Sequence, residues 1–226
     1  SATNGQVLTF NSTNGNITLA DAGGASAIND LSDAVTYNSG RAVALGTGAL
    51  VNDDDSDNRN TALGYNALNG ATSGGNNTAV GYFAGKSITT GYDNISIGNY
   101  AGDAVTTGIR NVTIGMSAGS AITTQDNNIG IGYRALRKTV SDDNTAIGCQ
   151  ALEENTTGSY NAAVGFEALK NNTTGQMGTA LGYRALMSNT TGEYNTAVGH
   201  TACKDNTTAS FNSAFGELAL RDNQTG

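Results

Sequence analysis

The stretch Asn195-Thr196-Ala197-Val198-Gly199 is one copy of a unit that recurs from about residue 41 to the end of the chain. Aligned on its glycine, the unit occurs eleven times, with successive glycines 18, 17, 17, 17, 17, 16, 17, 17, 17 and 17 residues apart. A fixed period of this kind indicates a repeat architecture in which each unit contacts mainly its neighbours. We call this residue the repeat glycine; its copies are Gly46, Gly64, Gly81, Gly98, Gly115, Gly132, Gly148, Gly165, Gly182, Gly199 and Gly216.

The residues before each repeat glycine alternate as in a β-strand. The residue two places before it is small in every copy, and threonine, valine or isoleucine usually stands three places before it. The residue directly before it is always large and apolar, a set that we call the large column: Leu45, Leu63, Val80, Ile97, Ile114, Ile131, Ile147, Val164, Leu181, Val198 and Phe215. Because neighbours in a strand face opposite sides, the large column shares a face with the threonines. We expect the large column to be buried.

Two more columns follow the repeat glycine. The third residue after it is alanine in every copy, which indicates two backbone layers in close contact. The fourth is mostly leucine, and we call this set the leucine column: Leu50, Leu68, Leu136, Leu152, Leu169, Leu186 and Leu220. Strand-forming residues and recurrent glycines exclude a helical repeat. The sequence therefore predicts an all-β fold, a parallel β-solenoid whose coils contain a first strand of about four or five residues before the glycine and a second strand at the Ala-Leu segment.

Polar residues mark the turns. Asparagine stands four places before most repeat glycines, and stacked asparagine side chains form hydrogen-bonded ladders. A Thr-Thr-Gly block, as in Thr156-Thr157-Gly158, begins eight places after the repeat glycine, and its glycine is expected to supply a positive φ. The Asn-x-Thr sequons follow from the same richness in asparagine and threonine: Asn155, Asn172, Asn189 and Asn206.

The unit Asn-Thr-Ala-Val-Gly-Tyr-x-Ala-Leu with Thr-Thr-Gly spacers resembles the repeats of phage tail fibres and trimeric bacterial surface adhesins. With its longer period, it is similar to the Ser-Val-Ala-Ile-Gly coils in the heads of trimeric autotransporter adhesins. The resemblance covers residues 41–226 and implies a left-handed parallel β-roll with three chains around one axis. Such fibres bind very different targets, so the resemblance is informative about architecture and not about the ligand.

The columns also predict association independently. A coil of 17 residues has little interior in which to bury apolar side chains, yet this unit has two columns of large apolar residues. Side-by-side association of chains would bury one of them. We therefore predict a homotrimer, with the number three taken from the resemblance, and the column that faces the axis is left open.

Charge and hydropathy restrict the other partners. The formal net charge of −8 argues against nucleic acid, whose phosphates require Lys and Arg clusters, and against anionic membrane surfaces. No apolar run approaches the length of a membrane span, and no signal peptide opens the chain. The chain stops inside a coil, so we expect a piece of a longer fibre, truncated at its C-terminal end. The expected location is extracellular, on a virion tail fibre or a bacterial cell surface.

Residues 1–40 lie outside the period and are predicted to form a connector or cap for a β-roll that spans residues 41–226. Residues 6–10 and 16–20 alternate as strands, and Asn14-Gly15 between them is typical of a hairpin turn. Residues 28–35 fit one helical turn or a linker. Because the ends of solenoids need caps, we expect this segment to close one end of the roll.

The most acidic stretch contains the candidate metal ligands, Asp53, Asp55 and Asp57. Carboxylates at alternate positions supply the oxygen ligands that Ca²⁺ prefers. The glycine and the final glutamate of an EF-hand loop are absent, however, which favours a solvated acidic turn. We therefore expect no cofactor, with Ca²⁺ as the alternative.

The position directly after the repeat glycine provides the candidate ligand-binding residues. It is aromatic in five copies: Tyr65, Tyr82, Tyr133, Phe166 and Tyr183. An exposed ladder of rings would stack on the faces of sugars, whereas a ladder that seals the corner of the coil has only a structural role. The sequence favours the structural role, and it leaves the binding role open.

The remaining reactive side chains do not predict an enzyme. Cys149 and Cys203 lie three coils apart, or about 14 Å at the spacing of stacked strands, which is too far for a disulfide. His200 is the only histidine, and no Ser/His/acid or Cys/His arrangement recurs with the repeat.

The leading functional hypothesis is a trimeric adhesive fibre segment that displays or contains a receptor-binding surface for host or prey cell-envelope glycans. The alternative is a passive structural shaft whose binding is carried by a tip domain outside this chain, and the uniformity of the repeat favours this alternative. Ice binding and glycan cleavage are disfavoured, because no flat Thr-x-Thr face and no loop long enough for an acid-lined cleft are predicted.

Overall fold

The computed structural model describes residues 7–10, 17–20, 34–36, 42–54 and 58–224. These ranges contain strands and turns and no helix. Strands β1 (Val7–Phe10) and β2 (Ile17–Ala20) pair antiparallel. The turn between them and residues 21–33 lie outside the described ranges, so the hairpin turn at Asn14-Gly15, the helical turn or linker over residues 28–33 and the division at residue 40 stay predictions. Ala34 and Val35, the last residues of the segment 28–35, belong to a strand and not to a helical turn.

The other strands form one sheet of twelve in sequence order. Strand β3 (Ala34–Thr36) lies antiparallel against β4 at one edge. Eleven strands follow in parallel register, each ending directly before a repeat glycine: β4 (Val43–Leu45), β5 (Thr61–Leu63), β6 (Thr78–Val80), β7 (Ile95–Ile97), β8 (Val112–Ile114), β9 (Ile129–Ile131), β10 (Thr145–Ile147), β11 (Ala162–Val164), β12 (Thr179–Leu181), β13 (Thr196–Val198) and β14 (Ser213–Phe215). About ten coils of about 17 residues connect these strands, so the predicted parallel β-solenoid is confirmed.

Like residues lie above like residues throughout the stack. Ala180 pairs with Ala197 and Leu181 with Val198, and the 16- and 18-residue coils do not shift the register of their strands. Each short strand therefore continues the columns that were read from the sequence. The stacking places any chemical group that recurs at one position in a ladder along the rod.

The predicted second strand is wrong, because the Ala-Leu segment is a turn in every coil. The second and fourth residues after the repeat glycine have positive φ, as at Arg184 (54°) and Leu186 (51°). Two left-handed residues separated by one alanine bend the chain too sharply for an extended strand. The first strand is also shorter than predicted, with three residues in each coil.

The large column faces outward from the single chain, which corrects the expectation that it is buried. In every coil the middle strand residue is buried and its two neighbours are not, so the small residues point into the coil. The leucine column fills the interior instead: Leu50, Leu68, Leu136, Leu152, Leu169 and Leu186 are fully buried. The alternation of facing was right, but the interior of a coil this thin admits alanine and not isoleucine from its strand.

The interior changes its composition along the rod. In coils that begin at residues 132–199, leucine or Cys203 stands four places after the glycine and threonine or asparagine seven places after it. In coils that begin at residues 81–115 the two positions are exchanged: Gly85, Gly102 and Gly119 are followed by the buried Ile88, Val105 and Ile122. We call residues 81–131 the glycine-core segment and residues 132–215 the leucine-core segment. Their buried apolar side chains belong to two separate clusters.

Two ladders of buried asparagines run through the stack. The predicted ladder four places before the glycine is present, since Asn94 donates from Nδ2 to Asn77 Oδ1 over 3.1 Å. A second ladder consists of the sequon asparagines, with Asn172 Nδ2 donating to Asn155 Oδ1 over 2.9 Å and to the Gly175 carbonyl over 2.9 Å. Because these amides are buried and hydrogen-bonded, they pair the turns of successive coils and are closed to glycosylation.

The repeat glycine is required by close contact between coils. At Gly98, φ is +130° and an added Cβ would lie 2.8 Å from the Gly115 carbonyl carbon of the next coil. The glycine of the Thr-Thr-Gly block was expected to supply a positive φ, and this is wrong. Gly91 has no such φ, but an added Cβ would lie 2.5 Å from the Gly108 carbonyl oxygen. Both glycines therefore permit backbone to approach backbone.

Candidate binding surfaces

The outward side of the strands is a continuous apolar face, which we call the strand face and define by the large column and the residues two places before it. Six of the eleven large-column residues are exposed in the single chain, including Leu63 (43 %), Ile97 (36 %), Ile147 (38 %) and Leu181 (48 %), and the other five are half-buried. Threonine, valine or isoleucine lies beside them in nine of the eleven strands, and Ala162 and Ser213 take this place in β11 and β14. The face is continuous because the strands stack in register, and it follows all eleven parallel strands.

The five predicted ligand-binding residues flank the strand face and are all partly exposed, between 36 % and 46 %: Tyr65, Tyr82, Tyr133, Phe166 and Tyr183. They do not form one ladder. Tyr65 stacks on Tyr82, Phe166 stacks on Tyr183, and Tyr133 contacts the guanidinium of Arg134 instead of another ring. The interruptions occur where the column changes to Asn99, Met116 and Cys149.

Tyr65 and Tyr82 belong to a group of rings that we call the four-ring cluster: Tyr65, Tyr82, Phe83 and Tyr100. Tyr65 and Tyr82 are stacked, with centroids 5.3 Å apart, and Phe83 and Tyr100 are stacked, with centroids 5.5 Å apart. The two stacks meet nearly at right angles, with Tyr82 and Phe83 centroids 4.4 Å apart and their planes at 79°. The cluster therefore presents ring planes in two perpendicular orientations.

A lysine lies beside the four-ring cluster. Lys86 Nζ is 4.9 Å from the Phe83 centroid and 3.6 Å from Asp103 Oδ2. Burial raises the pKa of Asp103, and the positive charge of Lys86 offsets this only in part. The pKa of Tyr82 is also raised, first by loss of solvent and then by the neighbouring Tyr100 and Tyr65. The Lys86 ammonium and the tyrosine hydroxyls are the polar groups of the cluster, and Lys86 Nζ lies over the Phe83 and Tyr100 rings.

The C-terminal rings are arranged differently. Phe166, Tyr183 and His200 form one parallel stack, with centroids 5.3 Å and 5.1 Å apart and planes within 9°. Each inner ring face is covered by the next ring, as expected for rings that seal the corner of a coil. Arg184 covers the side of this stack, 4.9 Å from the Tyr183 centroid.

Charged side chains of successive coils pair along the outer turns. Glu167 accepts hydrogen bonds from Lys170 Nζ over 2.7 Å and from Arg184 Nε over 2.6 Å. Burial alone would raise the pKa of Glu167, but these two partners outweigh it and the pKa is lowered. The pKa of Glu154 is lowered by hydrogen bonds from Lys138 and Arg137. These carboxylates are ionised and paired with the cationic side chains of the turns.

The acidic turn is described only in part, because Asp55 and Asp57 lie outside the described residues. Asp53 is half-buried, and its Oδ1 accepts a hydrogen bond from Asn58 Nδ2 over 3.2 Å. In the ranges that the structure covers, no group of three or more His, Cys, Asp or Glu side chains is placed to hold a metal ion. The Ca²⁺ site over Asp53, Asp55 and Asp57 stays an untested prediction.

The cysteines and the histidine do not come together. Both thiols are free; Cys203 is buried in the place of a leucine, whereas Cys149 is only half-buried. Burial raises the pKa of Cys203, which opposes formation of a thiolate. His200 Nδ1 lies 3.9 Å from the exposed Glu217, and its ring stacks on Tyr183.

Sequence reasoning missed Phe83, Tyr100 and Lys86. The available signal was the second position after the repeat glycine, which is polar or glycine in the coils from Gly46 to Gly199 except for Phe83 and Tyr100. Because the aromatic residues were sought in a single column, the two that leave the column were overlooked.

No protein-family model, no curated protein and no solved structure matches the chain. Among the described residues, no helix is long and apolar enough to cross a membrane.

Proposed function

We propose that this chain is a segment of a trimeric, extracellular adhesive fibre that displays or contains a receptor-binding surface for host or prey cell-envelope glycans. The strand face is the observation that carries this proposal. Soluble monomers rarely expose a continuous apolar patch larger than a few hundred Å². Here each of the eleven parallel strands adds a large apolar residue to one face, and six of these are at least 36 % exposed.

Association through this face explains why the repeat has two apolar columns. Six of the seven residues of the leucine column are fully buried within the chain and have no need of a partner; Leu220, in the last coil, is the exposed one. The large column is left for contacts between chains, and three chains whose strand faces meet at one axis would bury it along the whole rod. The resemblance to trimeric adhesins supports the number three and the left-handed sense of the roll.

Substitutions on the strand face test the proposed trimer. Ile97→Asp with Ile147→Asp places two charges on the face, and both positions are exposed in the single chain, so the isolated coil has no reason to unfold. We expect the mass in solution to fall from three chains to one while the β-sheet circular dichroism persists. Thr90→Asp, on an exposed outer turn, is the matched control and leaves the mass at three chains. A trimeric double variant would contradict the proposed interface.

Glycan binding separates the adhesive function from the passive shaft. The uniform columns favour a shaft, whereas the four-ring cluster, which interrupts them, favours recognition. The experiment is binding of the fluorescently labelled chain to an array of bacterial and host cell-envelope glycans. Saturable binding to a defined group of glycans is the expected result, and no binding to any glycan would leave the shaft as the function.

A further inference from the structure

The four-ring cluster is a departure from the repeat that the stacking of coils does not require. Asn99 occupies the position of Tyr82 in the next coil, and Ser117 occupies the position of Tyr100 in the coil after that. The parallel register of the strands is the same in these coils. Polar residues are thus compatible with both positions. Aromatic side chains at adjacent positions in two coils therefore need a reason other than folding.

The backbone holds the rings in fixed places. Phe83 N donates to the Tyr65 carbonyl over 2.9 Å, and Tyr100 N donates to the Tyr82 carbonyl over 2.9 Å. Both donors have positive φ, 55° at Phe83 and 54° at Tyr100, as this position has throughout the stack. Since the coils are joined at the residues that carry the rings, little conformational entropy is lost when a ligand binds.

Ring faces remain available at both ends of the cluster. Thr47 occupies the position of Tyr65 in the preceding coil, and Ser117 occupies the position of Tyr100 in the following coil. Both side chains are small. Among the described residues, the outer faces of these two rings have no further ring stacked on them. Tyr65, Tyr82 and Tyr100 are exposed by 46 %, 44 % and 37 %.

We infer that the four-ring cluster, with Lys86 at its rim, is a binding site for a pyranose residue of a glycan. This inference rests on the proposed adhesive function and assigns the receptor-binding surface to one place on the rod. A pyranose has an apolar C–H face that stacks on an aromatic ring and hydroxyls around its edge. Either Tyr65 or Tyr100, at opposite ends of the cluster, supplies the ring face, and Lys86 Nζ and the tyrosine hydroxyls supply hydrogen-bond donors.

The C-terminal stack is a natural comparison, because it has rings but no such site. Its inner faces are covered by one another, and Arg184 is engaged with Glu167 and Tyr183. It lacks a second stack at right angles. Substitution of Tyr183 therefore serves as a matched control for loss of an exposed ring.

Each substitution in the test introduces a residue that another coil has at the same position of the repeat. Phe83→Asn copies Asn66, and Tyr100→Ser copies Ser117, so the double variant retains the coil. Tyr183→Asn, which copies Asn99, is the control. Thermal unfolding and mass in solution, measured on each variant, establish that the fold and the oligomer are unchanged.

Binding is measured by saturation-transfer NMR with methyl β-D-galactopyranoside and methyl β-D-glucopyranoside, and on the glycan array. We expect the unmodified chain and Tyr183→Asn to bind, and the double variant to lose at least tenfold in affinity. Equal binding by the double variant would overturn this site and leave the adhesive function standing. Absence of binding by the unmodified chain to both pyranosides and to the array would overturn the site together with the adhesive function.

Discussion

The glycine-core segment and the leucine-core segment build the same coil with opposite interiors. In the glycine-core segment, the turn supplies the apolar side chains, such as Ile88, and the strand supplies the buried hydroxyls of Ser96 and Thr113. In the leucine-core segment, leucine fills the centre and the turn supplies buried asparagines, such as Asn172. The coil is therefore specified by the total volume and the pairing of its polar groups, and not by one residue at one position.

The exchange of interior side chains between the two segments also has a steric cause. A Cβ added at Gly102 would lie 2.7 Å from Ser96 Oγ and 2.8 Å from Thr113 Oγ1, so the hydroxyls occupy the space that leucine fills elsewhere. The backbone does not demand glycine, because φ is +52° there and 49° at Leu169. Side-chain packing, and not the backbone conformation, therefore decides whether glycine or leucine occupies this position.

The largest expected effect is loss of the central side chain from the leucine-core segment. Leu169→Gly removes a fully buried leucine and leaves a cavity, and we expect the free energy of unfolding to fall by about 4 kcal/mol. Chemical denaturation checks this value. Adding Asn172→Ile, which copies the glycine-core arrangement, should restore only part of the loss, because it breaks the asparagine ladder at Asn155 and Asn189. Full restoration would show that the ladder contributes nothing.

The reverse exchange should be tolerated better in the glycine-core segment. Gly85→Leu places a side chain where even its Cβ lies 3.1 Å from Ile88 Cδ1, and we expect overpacking to cost about 2–3 kcal/mol. Adding Ile88→Asn removes the tightest contact, although Leu68 Cδ2 at 3.2 Å remains, and should recover part of this loss in the same denaturation experiment. If the single and double variants are equally destabilised, volume exchange does not explain the two interiors.

The asparagine ladder is expected to contribute less than the leucines. Asn172→Leu leaves Asn155 Oδ1 without the hydrogen bond that Asn172 Nδ2 donates to it, and burial without a partner costs about 1–3 kcal/mol. Thermal unfolding measures the change. Asn171→Leu, at the neighbouring half-buried position, is the control and should change stability by less than about 0.5 kcal/mol.

The smallest expected effect is a difference between the two segments in how the free energy of unfolding depends on pH. The pKa of Glu167 is lowered below its usual 4.5, so its stabilisation is present above that pH and is lost as the pH falls through the folded-state value. Glu167→Gln should cost about 1 kcal/mol at pH 7, and this cost should shrink as the pH falls below 4.5. The pKa of Asp103 is raised instead, so Asp103→Asn should not destabilise the protein at pH 7. Equal pH dependence of the two variants, measured by denaturation, would contradict these assignments.

The sequence predicted the solenoid, its period and its register, because these follow from the spacing of glycines and from alternation before them. It did not predict which apolar column lies inside the coil, because the side chains of Ile97 and Leu68 are similarly apolar. The difference arises from the two left-handed residues after the glycine, which turn the leucine inward, and no residue preference at those positions reveals them.

The sequence predicted only part of the candidate site, because it did not reveal the backbone conformation after the repeat glycine. Tyr65 and Tyr82 were found because they recur in one column, whereas Phe83 and Tyr100 stand one residue further along. In a strand, that shift would place the rings on opposite faces. In the turn that the chain adopts, the same shift brings all four rings together, so only the backbone conformation connects them.

The most direct test of the proposed assembly is the mass of the unmodified chain in solution, measured by sedimentation equilibrium over a range of micromolar concentrations. Burial of the strand face between copies predicts a species of three times 22.9 kDa at all of them. A stable species of 22.9 kDa would contradict it, because the apolar face of all eleven parallel strands would then be exposed to water.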